Sequence, residues 1–162
     1  MPEYFFAAPS EEDVILLAPQ VRPEEREELR HSCGMTPQEY LAFALDRAAG
    51  FGGVFFSLHG PGGILGMGGA RPHPECAAVG IPWFIGKDLR RHRRFVARHS
   101  RRCIAGMFGR FEMLFNFVGS WNGRSIAWLE RTGFTVVKSP VFLGGGERAF
   151  YLFKAERSVF NV

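Results

Sequence analysis

Four side chains of this sequence could act as a general base and take a proton from a substrate. They are His59, His73, Glu75 and Glu112, and each stands beside a turn or at the end of an apolar segment. An imidazole or a carboxylate acts as a general base when it reaches the substrate and its pKa lies near the working pH. A polar residue at a strand end is more simply a solvated loop residue, and the sequence favours that interpretation for all four. Glu75 is retained as a weak catalytic candidate.

Ser120 and Asn122 are two further weak catalytic candidates. They follow an apolar segment at 113–118 that predicts a strand. Polar residues in the loop after a strand are well placed to serve a site at the end of a sheet. We therefore expect Ser120 and Asn122 to line a pocket.

The cysteines and histidines do not indicate a metal site. Cys33, Cys76 and Cys103 are far apart, and the sequence contains no Cys-x-x-Cys or His-x-x-x-His pair. This spacing favours reduced, packed thiols over a disulfide framework or a zinc site. We expect no bound metal.

A basic segment at 87–102 contains eight lysines and arginines and one acid, Asp88. It predicts a helix whose cations point outward, because Leu89, Val96 and Cys103 supply the buried side. Such a face could bind nucleic acid phosphates or an acidic protein. A solvated helix is the favoured interpretation, because the net charge of the chain is only +4.

Size and composition predict one compact domain over residues 1–162. The chain is 46% hydrophobic, which is enough for a sizeable core. Charged or glycine-rich segments interrupt every apolar run before the roughly 18 residues that a membrane span requires. The first residues lack a basic segment followed by an apolar core, so no signal peptide is expected. We expect a cytoplasmic protein.

Strand and helix signals alternate along the chain without a linker or a repeat. Thr36-Pro37-Gln38-Glu39 is a capping box, and Gly60-Pro61-Gly62-Gly63 predicts a hairpin turn. The long helix predicted from 88 is a crossover between two strands that must run parallel, so the sheet is mixed. The predicted strands are 13–18, 53–58, 64–70, 77–85, 113–118, 134–137 and 149–154, and the predicted helices are 24–33, 36–49, 88–110 and 122–132.

The segment from Asn122 to Phe134 has the sharpest pattern in the chain. Asn122 predicts an N-cap, bulky residues follow at helical spacing, and Gly133 predicts a left-handed stop before a strand. It resembles the C-terminal motif of the GNAT (Gcn5-related N-acetyltransferase) superfamily, N-x-x-[AS]-x-x-[FL]-Y-E-[KR]-x-G-F. Seven residues fall in register: Asn122, Ser125, Trp128, Glu130, Arg131, Gly133 and Phe134.

This resemblance implies an α/β (α+β) fold of the GNAT kind. It implies a mixed, mostly antiparallel sheet with a wedge between strands 4 and 5 and with helices on both faces. It also implies acetyl-CoA as cofactor, held by exposed N–H groups at the N-terminus of the long helix. The residues that the resemblance places against the cofactor are Trp83, Ile85, Gly86, Lys87, Arg90, Arg91, Asn122 and Ser125.

Two departures from the GNAT pattern predict that acetyl-CoA binds weakly or not at all. The family's loop, Q/R-x-x-G-x-G/A, keeps only Gly86 here, and Asp88 is placed to cap the long helix where an anion would bind. Leu129 occupies the position of the tyrosine that protonates the leaving thiolate. Tyr4, Tyr40 and Tyr151 do not match that position. The chain is therefore acetyltransferase-like, and whether it is an enzyme stays open.

Scattered motifs between about residues 22 and 137 also resemble a family of phage proteins with a GNAT-like domain, which includes an internal virion protein of short-tailed phages. That likeness implies a protein that stays in the host cytoplasm or is packed in the virion, and that contacts phage or host proteins during assembly or host takeover. The alternative is an active acetyl-CoA-dependent N-acetyltransferase of a host or phage target. The motifs are Trp83-Phe-Ile-Gly86, Arg91-His-Arg-Arg-Phe95, Ser100-Arg-Arg102, Phe115-Asn-Phe-Val118 and the Asn122 segment.

Overall fold

The computed structural model describes residues 3–48 and 52–160. These residues form a seven-stranded sheet with the strand order β1-β2-β3-β4-β5-β7-β6. The strands are β1 (Phe5–Ala7), β2 (Val54–Gly60), β3 (Gly63–His73), β4 (Cys76–Gly86), β5 (Met113–Gly119), β6 (Thr135–Phe142) and β7 (Ala149–Glu156).

Six α-helices are found among the described residues, together with short 3-10 turns at Ala18–Gln20, Arg90–His92 and Leu143–Gly145. None of these helices is long and apolar enough to cross a membrane. The helices are α1 (Glu11–Leu17), α2 (Pro23–Cys33), α3 (Pro37–Ala48), α4 (Arg93–Phe108), α5 (Gly123–Thr132) and α6 (Arg157–Phe160).

The predicted mixed sheet is confirmed. β4 and β5 form a parallel pair with Val79 opposite Met113 and Gly80 opposite Leu114, whereas the other neighbours pair antiparallel. α4 makes the crossover that joins the two parallel strands. Two core clusters cover the sheet, one containing residues of α1, α2 and α3 and the other containing residues of α4, α5 and α6.

The strand predicted at 13–18 is wrong, because residues 13–17 belong to α1 and Ala18 begins the following 3-10 turn. Ser10 caps the helix in a capping box: its Oγ accepts the Asp13 N–H at 3.2 Å, and the Asp13 carboxylate accepts the Ser10 N–H at 3.0 Å. Val14 and Leu17 are buried at helical spacing, which leaves Ile15 63% exposed. The first strand is Phe5–Ala7 instead, and it pairs with β2.

The long helix begins later than predicted. α4 starts at Arg93 after the 3-10 turn at Arg90–His92, and its N-cap His92 makes no side-chain capping bond. Asp88 therefore does not cap the long helix. Its Oδ1 accepts the N–H of Arg90, two residues on, at 3.0 Å. The predicted end of the second helix at Ala49 lies outside the described residues.

Candidate active site

A gap opens between β4 and β5 beyond their two paired positions. In an antiparallel pair, only every second residue directs its backbone polar groups toward the partner strand. Lys87 N–H donates to Leu65 O of β3 at 3.1 Å, so Lys87 and every second residue before it face β3. The backbone polar groups of residues 82, 84 and 86 therefore point away from β3 and toward β5. The Asn116 side chain crosses the gap and donates from Nδ2 to Pro82 O at 2.8 Å. The register leaves the backbone N–H and C=O of Phe84 facing the gap.

Helix α2 closes one end of this gap with two carboxylates. Glu25 Oε2 accepts the Gly86 N–H at the end of β4 at 3.1 Å, and Glu28 Oε1 accepts the Gly119 N–H at the end of β5 at 2.8 Å. Pro23 at the first helical position and Gly34, with φ 72°, at the C-terminal cap set the limits of α2. Three residues apart, Glu25 and Glu28 lie on the same face and reach one strand each.

Arg22 joins α2 to the start of α5. Its Nη2 donates to Glu25 Oε1 at 3.2 Å, to Asn122 Oδ1 at 3.3 Å and to Ser125 Oγ at 3.0 Å. Asn122 also donates from Nδ2 to Glu28 Oε1 at 2.8 Å. We call these five residues, Arg22, Glu25, Glu28, Asn122 and Ser125, the wedge network. Arg22 and Glu25 are each only 8% exposed, so the ion pair is buried.

Burial makes the two wedge carboxylates unusually basic. Desolvation raises the pKa of Glu25 to about 7, outweighing the opposing effects of Arg22 and of the Gly86 N–H. Burial also raises the pKa of Glu28 above its usual range, against the hydrogen bond from Asn122. Glu25 can therefore exchange a proton near neutral pH, which suits a general base.

The predicted α5 motif forms as expected. Asn122 caps the helix by accepting the Ser125 N–H at 3.4 Å, and Gly133 ends it with φ 111°. Leu129 is 5% exposed in the core and has no proton to donate. Trp128 is partly buried, and its indole N–H donates to Ser100 Oγ of α4 at 2.9 Å.

A cationic groove of about 700 Å³ lies where the 3-10 turn leads into α4. Asp88 stands beside it, paired with Arg90 Nε at 2.6 Å and with Arg124 Nη1 at 3.2 Å. The hydrogen bonds from Arg90 hold the pKa of the Asp88 carboxyl below its usual value. The groove is lined by Tyr4, Arg90, Arg91, His92, Arg93, Arg94, Phe95, Arg98 and His99.

The structure brings only some of the predicted cofactor residues together. Asn122 and Ser125 meet in the wedge network, and Arg90 and Arg91 line the groove. Gly86 contributes its N–H to the network. Lys87, next in the chain, is partly buried, and its N–H is used by Leu65.

Trp83 and Ile85 face the α1–α3 side of the sheet. Trp83 packs against Tyr40 and Phe55 with ring centroids 5.6 and 5.2 Å apart, and Ile85 is 5% exposed in the same cluster. Their side chains therefore shape the core below β4. They do not line the cationic groove.

The predicted catalytic bases do not gather at the gap. Glu75 is exposed in the turn at the start of β4, where its N–H donates to His73 Nδ1 at 3.1 Å. Glu112 is exposed just before β5, at the same end of the sheet. Ser120, which was predicted to line a pocket, follows Gly119 at the end of β5 where α2 closes the gap, and its N–H donates to Ala149 O at 3.0 Å.

His59 is partly buried beside the buried Ser57 and Asp13, in a polar cluster that resembles a catalytic triad in composition only. Its Nε2 lies 3.0 Å from Ser57 Oγ and 3.3 Å from Asp13 Oδ1, so a single ring nitrogen contacts both partners. Ser57 is 0% exposed, and Asp13 already caps α1. Nucleophilic catalysis needs an accessible hydroxyl and a base oriented through its second nitrogen, so this arrangement does not suit it.

Within residues 3–48 and 52–160, no three or more His, Cys, Asp or Glu side chains are grouped so as to hold a metal ion. Cys33 and Cys76 are exposed and Cys103 is partly buried, all three as free thiols.

Arg22, Glu25 and Glu28 were not predicted as site residues from the sequence. The sequence showed them only as the charged start of a short helix. The spacing of Glu25 and Glu28 on one face of α2 was the available signal. Their strand partners are Gly86, 61 positions away, and Gly119, 91 positions away, and no local pattern reveals them.

No family profile and no curated protein sequence matches the chain. Solved structures do match its fold. Spermidine N-acetyltransferase from Vibrio cholerae, in complex with CoA and spermine, aligns with TM-score 0.72 at 11% identity over 98% of both chains. The putative acetyltransferase yncA from Salmonella typhimurium, with its cofactor acetyl-CoA, aligns with TM-score 0.68 at 14% identity over 96% of this chain and 94% of that one.

Ribosomal-protein-alanine N-acetyltransferase from Brucella melitensis aligns with TM-score 0.67 at 12% identity, over 94% of this chain and 99% of that one. At identities this low the likeness concerns the backbone fold. The chain has the GNAT fold, with the mostly antiparallel sheet, the parallel β4–β5 pair and the flanking helices that the Asn122 motif predicted.

Proposed function

We propose that this protein is an acetyl-CoA-dependent N-acetyltransferase that uses Glu25 as its general base. The observation that carries the proposal is the position of a buried carboxylate with a pKa of about 7 at the end of β4, where the gap between β4 and β5 opens. The CoA and acetyl-CoA complexes among the structural neighbours support the choice of cofactor.

The residues around the gap fit this cofactor. Lys87, Arg90 and Arg91 would hold its phosphates beside the groove, and the Phe84 backbone would pair with its amide-containing arm. Glu25 already binds the Gly86 N–H, so cationic side chains would do much of the work that backbone N–H groups do in a glycine-rich loop. When bound, acetyl-CoA supplies an acetyl thioester activated for transfer to a nucleophile.

Glu25 and Glu28 would act on the substrate amine. Two carboxylates at one opening attract an ammonium group, and Glu25 would take the proton that must leave before nitrogen can attack. Arg22 would position Glu25 and stabilise its charged form. Because Leu129 cannot protonate the departing thiolate, that proton would come from water.

The second candidate is a GNAT-like phage protein that works through contacts with phage or host proteins, either in assembly, inside the virion or in host takeover. The wedge network favours it, because Glu25 and Glu28 occupy the backbone N–H groups at the ends of both strands. Leu129 also favours the second candidate, because this buried side chain cannot protonate a departing thiolate. Acetyl-CoA would then bind weakly or not at all.

Calorimetric titration with acetyl-CoA separates the two candidates. The enzyme proposal expects saturable binding, followed by acetyl transfer to a polyamine or peptide amine. Glu25→Gln should retain acetyl-CoA binding and lose turnover, with the remaining rate no longer rising through pH 7. Glu24→Gln, one residue earlier on α2, is the matched control and should keep both. A parent protein that gives no binding heat would refute the enzyme proposal and favour the second candidate.

A further inference from the structure

Four arginines form a continuous stripe along the outer face of the 3-10 turn and α4. Arg91, Arg94, Arg98 and Arg102 follow one another at spacings of three, four and four residues, and all four are exposed. We call them the arginine stripe. Within α4 this spacing places Arg94, Arg98 and Arg102 on one helix face, and Arg91 precedes them in the 3-10 turn.

The stripe has no acidic partner within the part of the chain that the structure describes. The ion pairs there that involve this region join Asp88 to Arg90 and Arg124, and none includes a stripe residue. Like charges four residues apart destabilise a helix by about 0.2–0.5 kcal/mol per pair. The sequence alone favours a solvated helix, but exposed cations that repel one another and have no ion-pair partner among the described residues would gain from an anionic ligand.

The chemistry of the stripe suits phosphate. Seven of the eight basic residues between 87 and 102 are arginines. A guanidinium binds a phosphate through two parallel N–H groups, whereas lysine offers a point charge. The distance from Arg94 to Arg102 is about 12 Å at 1.5 Å per residue. That length corresponds to three to four steps of one strand along the axis of a duplex, at about 3.4 Å per step.

The groove beside the stripe has an aromatic wall. The Tyr4 and Phe95 rings stack with centroids 4.1 Å apart, and Phe95 stacks on His99 at 4.3 Å. Both faces of Phe95 are thus covered by protein rings, and base stacking on it is excluded. The rings hold the first turns of α4 against the segment before β1 and fix the direction of the stripe.

We propose that the arginine stripe binds the phosphate backbone of a nucleic acid, independently of base sequence. This binding goes beyond the acetyl transfer proposed above and does not require it. The proposed acetyl-CoA contacts are assigned to Lys87, Arg90 and Arg91, so Arg91 is shared between the two proposals. Arg94 and Arg98 line the same groove without an assigned cofactor contact, and Arg102 is outside its lining. Nucleic acid is favoured over an acidic protein because the stripe is regularly spaced, rich in arginine and without an exposed apolar anchor between its members.

The test is fluorescence anisotropy of the full chain with a short labelled oligonucleotide, as a single strand and as a duplex. Affinity should fall steeply between about 50 and 200 mM salt. Arg94→Ala/Arg98→Ala should weaken binding at least about tenfold and reduce the salt slope by about 1.4 for a single strand or about 1.8 for a duplex. The oligonucleotide that binds more tightly, single strand or duplex, identifies the kind of nucleic acid that the stripe recognises.

Arg30→Ala/Arg131→Ala is the matched control, because it removes the same charge from two exposed arginines outside the stripe. It should weaken binding less than about twofold. Equal losses in the two double variants would overturn the proposal, since binding would then follow net charge alone. The absence of binding at low salt would overturn it too, as would displacement by poly-glutamate as readily as by unlabelled oligonucleotide.

Acetyl-CoA titration keeps this proposal separate from the enzyme proposal. Arg102→Ala, which alters a stripe residue outside the groove, should bind acetyl-CoA as the parent does and unfold at the same or a slightly higher temperature, because its like-charge pair with Arg98 has been removed. A loss of acetyl-CoA binding in this variant would assign the stripe to the cofactor site and overturn the proposal. Failure of the parent protein to bind acetyl-CoA would refute the enzyme proposal. Binding of nucleic acid to the arginine stripe could still be measured in that case.

Discussion

Glu25→Gln should change how the stability of the protein depends on pH. The pKa of Glu25 rises from 4.5 to about 7 in the folded protein because the carboxyl is buried. Between these two values the native state keeps a proton that the unfolded chain has lost, so stability falls as pH rises. Over about 2.5 pH units, at 1.36 kcal/mol each, the loss is about 3 kcal/mol. Below pH 4.5 and above about pH 7 Glu25 contributes no slope.

Urea unfolding at several pH values between 4.5 and 8.5 measures this effect. The parent should lose about 3 kcal/mol more than Glu25→Gln across that range, because glutamine does not titrate. Glu28 keeps a slope of the same sign in both proteins, since its pKa is also raised. Glu24→Gln should follow the parent. A difference between parent and Glu25→Gln that stays constant with pH would refute the raised pKa, and with it the main support for Glu25 as the base.

Three further predictions concern packing and charge. Trp128→Ala should lower the free energy of unfolding measured in urea by about 3 kcal/mol, because it removes a partly buried indole and its hydrogen bond to Ser100. A loss under about 1 kcal/mol would show that Trp128 is a surface residue. Asp88→Asn should strengthen acetyl-CoA binding about three- to tenfold in calorimetry, because it removes a negative charge and frees Arg90 and Arg124. The gain should be lost at high salt, and an unchanged affinity would contradict the proposed effect of Asp88. Gly106→Ala should raise the free energy of unfolding by about 0.5–1 kcal/mol, because Gly106 lies in α4 with open space around it. Gly69→Ala should destabilise strongly, because its Cβ would lie 1.9 Å from Val54 O. If thermal unfolding ranks the two variants the other way, the close strand contact is contradicted.

Local signals in the sequence predicted local structure well. The α5 segment was predicted with its cap and its stop, because Asn122 and Gly133 act within their own helix. The error at α1 has a physical cause: a short apolar run such as Val14–Leu17 suits either a strand or a buried helix face. The Ser10–Asp13 capping box could have decided between them.

The wedge network could not be predicted in the same way. Arg22 and Asn122 are 100 positions apart and become neighbours only when α2 packs across the ends of β4 and β5. The raised pKa of Glu25 comes from burial, which is a property of the folded molecule. Asp88 was predicted to cap α4, but the intervening 3-10 turn moved the start of that helix beyond its reach.

The two outer strands of the sheet bear on how the protein behaves at high concentration. β1 has three residues, and β6 shifts its pairing with β7 between Val137 and Val141. Pro140 within that shift has no N–H to offer, and Lys138 adds a charge at the same edge. Short, kinked or charged edges resist the addition of a further strand. We therefore expect little tendency toward edge-to-edge aggregation, and any partner would be recognised through side chains.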